Sequence, residues 1–161
     1  VDSYTFTLTQ RRSLFIDTLA GANGLTIAID GPDGAVAAQR YFYTDLNDYY
    51  AGDGLLTLLV RHTSASLLIM ENADPDVQTD IVAYLDRLVP PATDPSMAYL
   101  RHVYEGPDDM PAHLKAMVLP VTLSIPVQAG RMRLGTWQGL YLVEHRARPH
   151  RREVAAHLLR G

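Results

Sequence analysis

With no cysteine in 161 residues, the chain has no disulfide, iron–sulfur cluster, thiol nucleophile or cysteine-based zinc site. Histidines and carboxylates must therefore carry any chemistry. His62 stands at the polar end of an apolar run, sharing strand parity with Leu56, Leu58 and Val60 on one side and Ser64 and Ser66 on the other. Such a residue suits the edge of a site, and equally a partly buried ring satisfied by a hydroxyl or backbone group. Asp108, Asp109 and His113 form an acidic entry to a short helix, on which Asp109 and His113, four apart, share a face. An N-capping aspartate beside a surface histidine gives the same pattern. His102 lies upstream on the same segment, and His145 follows Glu144 near the end of a strand. A metal site needs about three such groups converging, with further partners that fix the imidazole tautomers.

Arg61, Lys115, Arg131 and Arg133 are available to hold phosphate, although charges beside a turn also serve as a solvated face or as edge protection. Trp137, the only tryptophan, has core or interface packing as its default role. The chain has no His-Glu-x-x-His, Walker loop, dinucleotide fingerprint or Gly-x-Ser-x-Gly elbow. That sets aside the hydrolase, nucleotide and dinucleotide classes with a readable signature.

The elements that must position these residues read as mainly β. Tyr4 to Thr9 alternates threonine with large apolar residues, as a half-buried strand does. Leu25 to Ile29 and Ala35 to Tyr43 predict a hairpin around Asp30-Gly31-Pro32-Asp33-Gly34. Thr44 or Asp45 would cap a short helix to Tyr50, ended by Gly52-Asp53-Gly54. Leu55 to Met70 is apolar at both parities in its first half, as expected of a strand covered on two faces, and turns polar at 61–66. Asp74-Pro75 opens a helix whose Val77, Ile81, Leu85 and Leu88 recur at helical spacing until Pro90-Pro91. Thr93 to Pro111 is a long loop and, on that ground, a functional segment. A short helix over 110–116 precedes strands at 118–127, 132–137, 140–145 and 153–159, with residues 128–131 turning the first pair.

One domain spanning 1–161 suits the length, which allows about two-thirds of the unfolded surface to be buried. An apolar fraction of 47% and a charged fraction of 20% are those of a globular protein without a membrane span. A net charge of −4 offers no field for nucleic acid, so a phosphorylated ligand would need a local cluster of cations. The N-terminal residues resemble no export signal, which predicts a cytoplasmic location.

Four strings occur together and in order: His62-Thr63-Ser64-Ala65-Ser66-Leu67; Glu71-Asn72-x-Asp74-Pro75; Tyr104-Glu105-Gly106-x-Asp108-Asp109-Met110-Pro111-x-His113; and Gly135-Thr136-Trp137-Gln138-Gly139 followed by Glu144-His145-Arg146. With these the chain resembles the YjbQ, or secondary thiamine-phosphate synthase, family from about Gly54 to the C-terminus. Residues 20–42 look like an extra hairpin beside the shorter relatives. The resemblance implies a compact β-sandwich with flanking helices (α+β), a homotrimer, and a histidine-rich site near subunit boundaries.

Carried onto this sequence, it implies metal ligands His102, His113 and His145, catalytic roles for His62, Asp109 and Glu144, and substrate contacts from Ser64, Asn72, Asp74, Lys115 and Arg133. Imidazoles suit zinc or nickel, whereas magnesium would draw on Asp74, Asp109 or substrate phosphates. The implied activity joins a pyrimidine pyrophosphate to a thiazole phosphate and releases pyrophosphate, as a secondary reaction on small phosphorylated compounds. Metal-dependent hydrolysis with Asp109 or Glu144 as base, and non-catalytic binding of a metal or anion by a trimer, are the alternatives.

Overall fold

The computed structural model describes residues 2–7, 13–21, 24–30, 36–42, 53–148 and 150–161. Strands β1 (Asp2–Thr7), β2 (Ser13–Gly21), β3 (Gly24–Asp30) and β4 (Val36–Phe42) precede β5 (Gly54–Val60) and β6 (Ala65–Glu71). Helix α1 (Pro75–Leu88), a 3₁₀ turn at Pro95–Met97 and helix α2 (Asp109–Val118) follow. The chain ends in β7 (Thr122–Gln128), β8 (Arg131–Met132), β9 (Gln138–Glu144) and β10 (Arg151–Arg160). The strands form two five-stranded sheets, in the orders β1-β10-β5-β7-β8 and β4-β3-β2-β9-β6, with every pairing antiparallel.

The apolar faces of the two sheets meet. Leu56, Leu58, Val60, Ile125, Val127, Val154 and Ala156 of the first pack with Ala65, Leu67, Leu140 and Leu142 of the second. On the other face of the second sheet, Tyr141 and Val143 are covered by Leu85, Ile81 and Leu119. That second layer explains why β9 is buried at both parities from Gly139 to Glu144. The mainly β sandwich with flanking helices is therefore the fold, and no described helix is long and apolar enough to cross a membrane.

The structure departs from the sequence reading in four respects. The run from Leu55 to Met70 is two strands in different sheets: β5 ends at Val60, and β6 begins at Ala65 in the opposing layer. β5 is covered on one face only, since Leu55 and Leu59 are exposed while Leu56 and Leu58 are buried. Trp137 is 67% exposed, so it is not a core residue of this chain. The expected strand at 132–137 shortens to β8, which turns from β7 through Ala129 and Gly130, both at positive φ. The hairpin assigned to residues 20–42 corresponds to part of β2 with β3 and β4, where β3 and β4 extend the second sheet outward from β2. The turn at 31–34 and the short helix ending at Tyr50 lie outside the described residues.

Candidate functional site

The crossover between sheets places the polar string 61–64 at one end of the sandwich. Antiparallel pairing brings other chain segments to the same end: Ala65 opposes Glu144, and Arg61 N–H donates to the Glu153 carbonyl at 2.9 Å. His145 N–H donates to the Ser64 carbonyl at 3.3 Å. The first turn of α2 completes the cluster. A turn at Gly106, whose φ of +109° suits glycine, lets Asp109 N–H reach the Gly106 carbonyl at 3.3 Å and start the helix.

Asp108 holds the N-cap position but makes no capping bond. Its carboxylate instead accepts from the Ala147 N–H at 2.7 Å and from Arg146 Nε at 3.2 Å. Partial burial pushes the Asp108 carboxyl up, but those bonds and the guanidinium charge outweigh it and hold the group below its ordinary value. Asp109 is buried; one oxygen pairs with Arg146 Nη1, and Oδ2 lies 2.9 Å from His102 Nε2 and 3.5 Å from His113 Nε2. The ligand atoms of His102, Asp109 and His113 all lie within 4.8 Å of one another.

These three residues fit a divalent transition metal. Ligand atoms around one tetrahedral zinc stand about 3.3 Å apart, as follows from zinc bonds of ~2.0–2.1 Å. Further partners are in place as well. His113 Nδ1 donates to the Thr63 carbonyl at 2.9 Å, which in a ring that binds a cation leaves Nε2 as the lone-pair nitrogen facing Asp109. Arg146 fixes the remaining oxygen of Asp109, and its Nη2 donates to the Glu105 carbonyl at 3.0 Å.

Beside this group lies a buried ion pair. Arg152 Nε donates to Glu144 Oε2 at 2.7 Å, Nη2 pairs with the other carboxylate oxygen, and both side chains are fully buried. Arg152 Nη2 also donates to Ser64 Oγ at 3.0 Å, and Glu144 accepts the Arg146 N–H at 2.9 Å. His62, at the surface, takes the Ser64 N–H on Nδ1 at 3.2 Å with Ser64 Oγ 3.1 Å away. Burial lowers the His62 pKa, helped by the Arg152 charge and opposed by Glu144.

His62, Ser64, His102, Asp109, His113 and Glu144 thus share one end of the sandwich, while the side chains of the other candidates turn to other partners or lie elsewhere. His145 is buried with Nε2 2.8 Å from Ser66 Oγ and is not in the three-residue ligand group. Asn72 follows β6 at its far end, eight residues from Ser64 or about 26 Å of extended strand. There it accepts from the Tyr141 hydroxyl at 2.9 Å. Asp74 caps α1 by accepting from Asp76 N–H at 2.9 Å. Lys115 is buried and pairs with Asp86 of α1. Arg133 is exposed just past the edge strand β8. The cations at the site are instead Arg146 and Arg152. Arg152 escaped the sequence reading, although an arginine in phase with Val154 and Ala156 on the inward parity of a strand was the available signal.

The family model described as UPF0047 protein YjbQ-like matches residues 42–161. UPF0047 protein sll1880 of Synechocystis is 53% identical over 105 residues, which cover 65% of this chain and 69% of that protein. UPF0047 protein YjbQ of Salmonella typhimurium is 50% identical over 105 residues, covering 65% and 72%. Among solved structures, an uncharacterized conserved protein of the YjbQ/UPF0047 family from Clostridium acetobutylicum superposes with a TM-score of 0.66 at 27% identity, covering 99% of this chain and 100% of its own. A conserved hypothetical protein from Thermus thermophilus gives a TM-score of 0.63 at 29% identity, covering 97% and 99%.

Proposed function

As the chain belongs to the UPF0047 YjbQ-like family, we propose that its histidine–aspartate cluster is a metal-assisted site for a small phosphorylated compound, with thiamine phosphate formation as a secondary reaction. The observation that carries this reading is the convergence of His102, Asp109 and His113 on one point. Two imidazoles and one carboxylate favour zinc or nickel over magnesium. When bound, such a cation supplies Lewis-acid neutralisation of charge on a departing pyrophosphate.

The chain's own residues do the rest. Arg146 orients Asp109 from behind, and the Thr63 carbonyl orients His113. Glu144 is committed to Arg152 and to the Arg146 N–H, so in this reading it is a positioning residue rather than a free base. Asp108, Asp109 and Glu144 face Arg146 and Arg152, and three carboxylates against two guanidiniums leave one formal negative charge. A phosphoryl ligand is disfavoured by that balance and favoured once a divalent cation reverses it. The protein acts in the cytoplasm as a homotrimer in this account.

Titrating inorganic pyrophosphate into zinc-loaded and chelator-treated protein tests the site. Binding is expected only with zinc, and formation of thiamine phosphate from its two phosphorylated precursors is expected to disappear in Asp109→Asn. Equal binding without metal, or none at millimolar concentration, overturns the reading. The ligand count favours a second reading, because three protein ligands are those of catalytic zinc sites that keep a position open for water. Turnover of simple phosphoesters without thiamine phosphate formation would select that metal-dependent hydrolase, whereas binding with no turnover would select a non-catalytic metal- and anion-binding trimer.

A further inference from the structure

The Thr63–Ser64 peptide group touches two histidines with its two ends. Its carbonyl, on Thr63, accepts from His113 Nδ1 at 2.9 Å. Its N–H, on Ser64, donates to His62 Nδ1 at 3.2 Å. A backbone carbonyl can only accept and a backbone N–H can only donate, so the polarity of each contact is fixed. Nδ1 of His113 must carry a proton, and Nδ1 of His62 must not.

A second chain of bonds reaches the same conclusion for His62. Arg152 Nη2 has only hydrogens to offer, so Ser64 Oγ, 3.0 Å away, accepts from it. The Ser64 hydroxyl proton is then free to point at His62 Nδ1, 3.1 Å from the oxygen. Arg152 is itself held by Glu144. Arg152 thus donates on one side to Glu144 and on the other to Ser64 Oγ, which leaves the Ser64 hydroxyl proton for His62 Nδ1.

We infer that this one peptide sets the two imidazoles in opposite tautomers: His113 presents a lone pair on Nε2 to a cation, and His62 presents an Nε2–H to an oxygen of a phosphoryl ligand. The inference rests on the metal-assisted reading for its ligand, but the tautomer of His62 stands on geometry alone. A neutral His62 has its proton on Nε2, which makes it neither a metal ligand nor a base through that atom. It becomes a hydrogen-bond donor for an oxyanion, a role a neutral imidazole fills well where charge develops on oxygen. Among the described residues Nε2 of His62 has no hydrogen-bond partner, and the residue is exposed. The charged and titratable groups around it are Arg152 of β10, Glu144 of β9, His150 and His113 of α2. Burial and the Arg152 charge outweigh Glu144 and favour the uncharged ring.

Two-bond proton–nitrogen correlation spectra of the nitrogen-15-labelled protein at pH 7.5, assigned with His62→Gln, read the tautomer directly. The expected pattern is a neutral Nε2–H ring for His62 with or without zinc, retained in Ser64→Ala, which keeps the peptide donor. Inorganic pyrophosphate added to the zinc-loaded protein is expected to shift His62 Nε2. His62→Gln is expected to weaken pyrophosphate binding about tenfold, the scale of one hydrogen bond to a charged group, with zinc content unchanged. An Nδ1–H tautomer or an imidazolium overturns the inference, as does a His62 signal unmoved when pyrophosphate binds. A tautomer that switches in Ser64→Ala overturns the peptide's role. If zinc fails to bind while His62 is Nε2–H, the metal-assisted reading falls and the oxyanion role falls with it. If zinc binds and His62 carries Nδ1–H, only this inference falls.

Discussion

Glu144 and Arg152 lie side by side with no exposed surface, and their pairing decides what either residue can do. Removing one charge of a buried pair leaves the other uncompensated, which costs about 3–5 kcal/mol. Glu144→Gln is therefore expected to lower unfolding free energy by about that amount in urea denaturation. A change below about 1 kcal/mol, typical of an exposed pair, would contradict the positioning role. His62 makes a pH-dependent contribution. Its folded-state pKa lies below the ordinary 6.5, so the unfolded chain takes up the proton more readily. The stability linked to His62 is complete above pH 6.5 and is lost as pH falls through the folded-state value. The urea midpoint is expected to fall more between pH 7.5 and 5.5 for the wild-type chain than for His62→Gln, and equal falls would contradict the assignment.

Individual elements separate site residues from scaffold residues. Asp74 caps α1 far along β6 from the cluster, so Asp74→Ala is expected to cost about 1 kcal/mol while zinc and pyrophosphate binding stay unchanged. Loss of either ligand would return Asp74 to the site. This helix was legible in the sequence because Asp74-Pro75 marks its start and Ile81 and Leu85 recur on its buried side. The Asp109–His113 relation was legible too, since a four-residue helical spacing has one geometry. The break between β5 and β6 was not, because apolar residues continue on both sides of 61–64 and only the change of sheet separates them. β2 was not read either, for Leu14-Phe15-Ile16 and Leu19-Ala20 run consecutively where a strand signal alternates. Contacts between distant strands, such as Arg152 with Ser64, leave no local spacing to read.

For the whole molecule, two sheets and a helical layer gather the ends of β5, β6, β9, β10 and α2 at one edge, and the candidate site is that edge. The same architecture leaves Trp137 exposed, with its carbonyl accepting from Asn72 N–H at 2.8 Å. Because that bond is made by the backbone, Trp137→Ala is expected to change unfolding free energy by no more than about 0.5 kcal/mol. A loss of about 3–5 kcal/mol, the cost of emptying a packed aromatic site, would place the ring in an interface between copies of the chain. The proposed chemistry requires a cation held by His102, Asp109 and His113. Its most direct test is metal content by mass spectrometry on protein purified without a histidine tag, beside His113→Ala, Asp109→Asn and His145→Ala. The prediction is near-stoichiometric zinc or nickel in the wild-type chain, lost in the first two variants and retained in His145→Ala. A wild-type chain that takes up no metal, or one that loses it only in His145→Ala, would contradict the account.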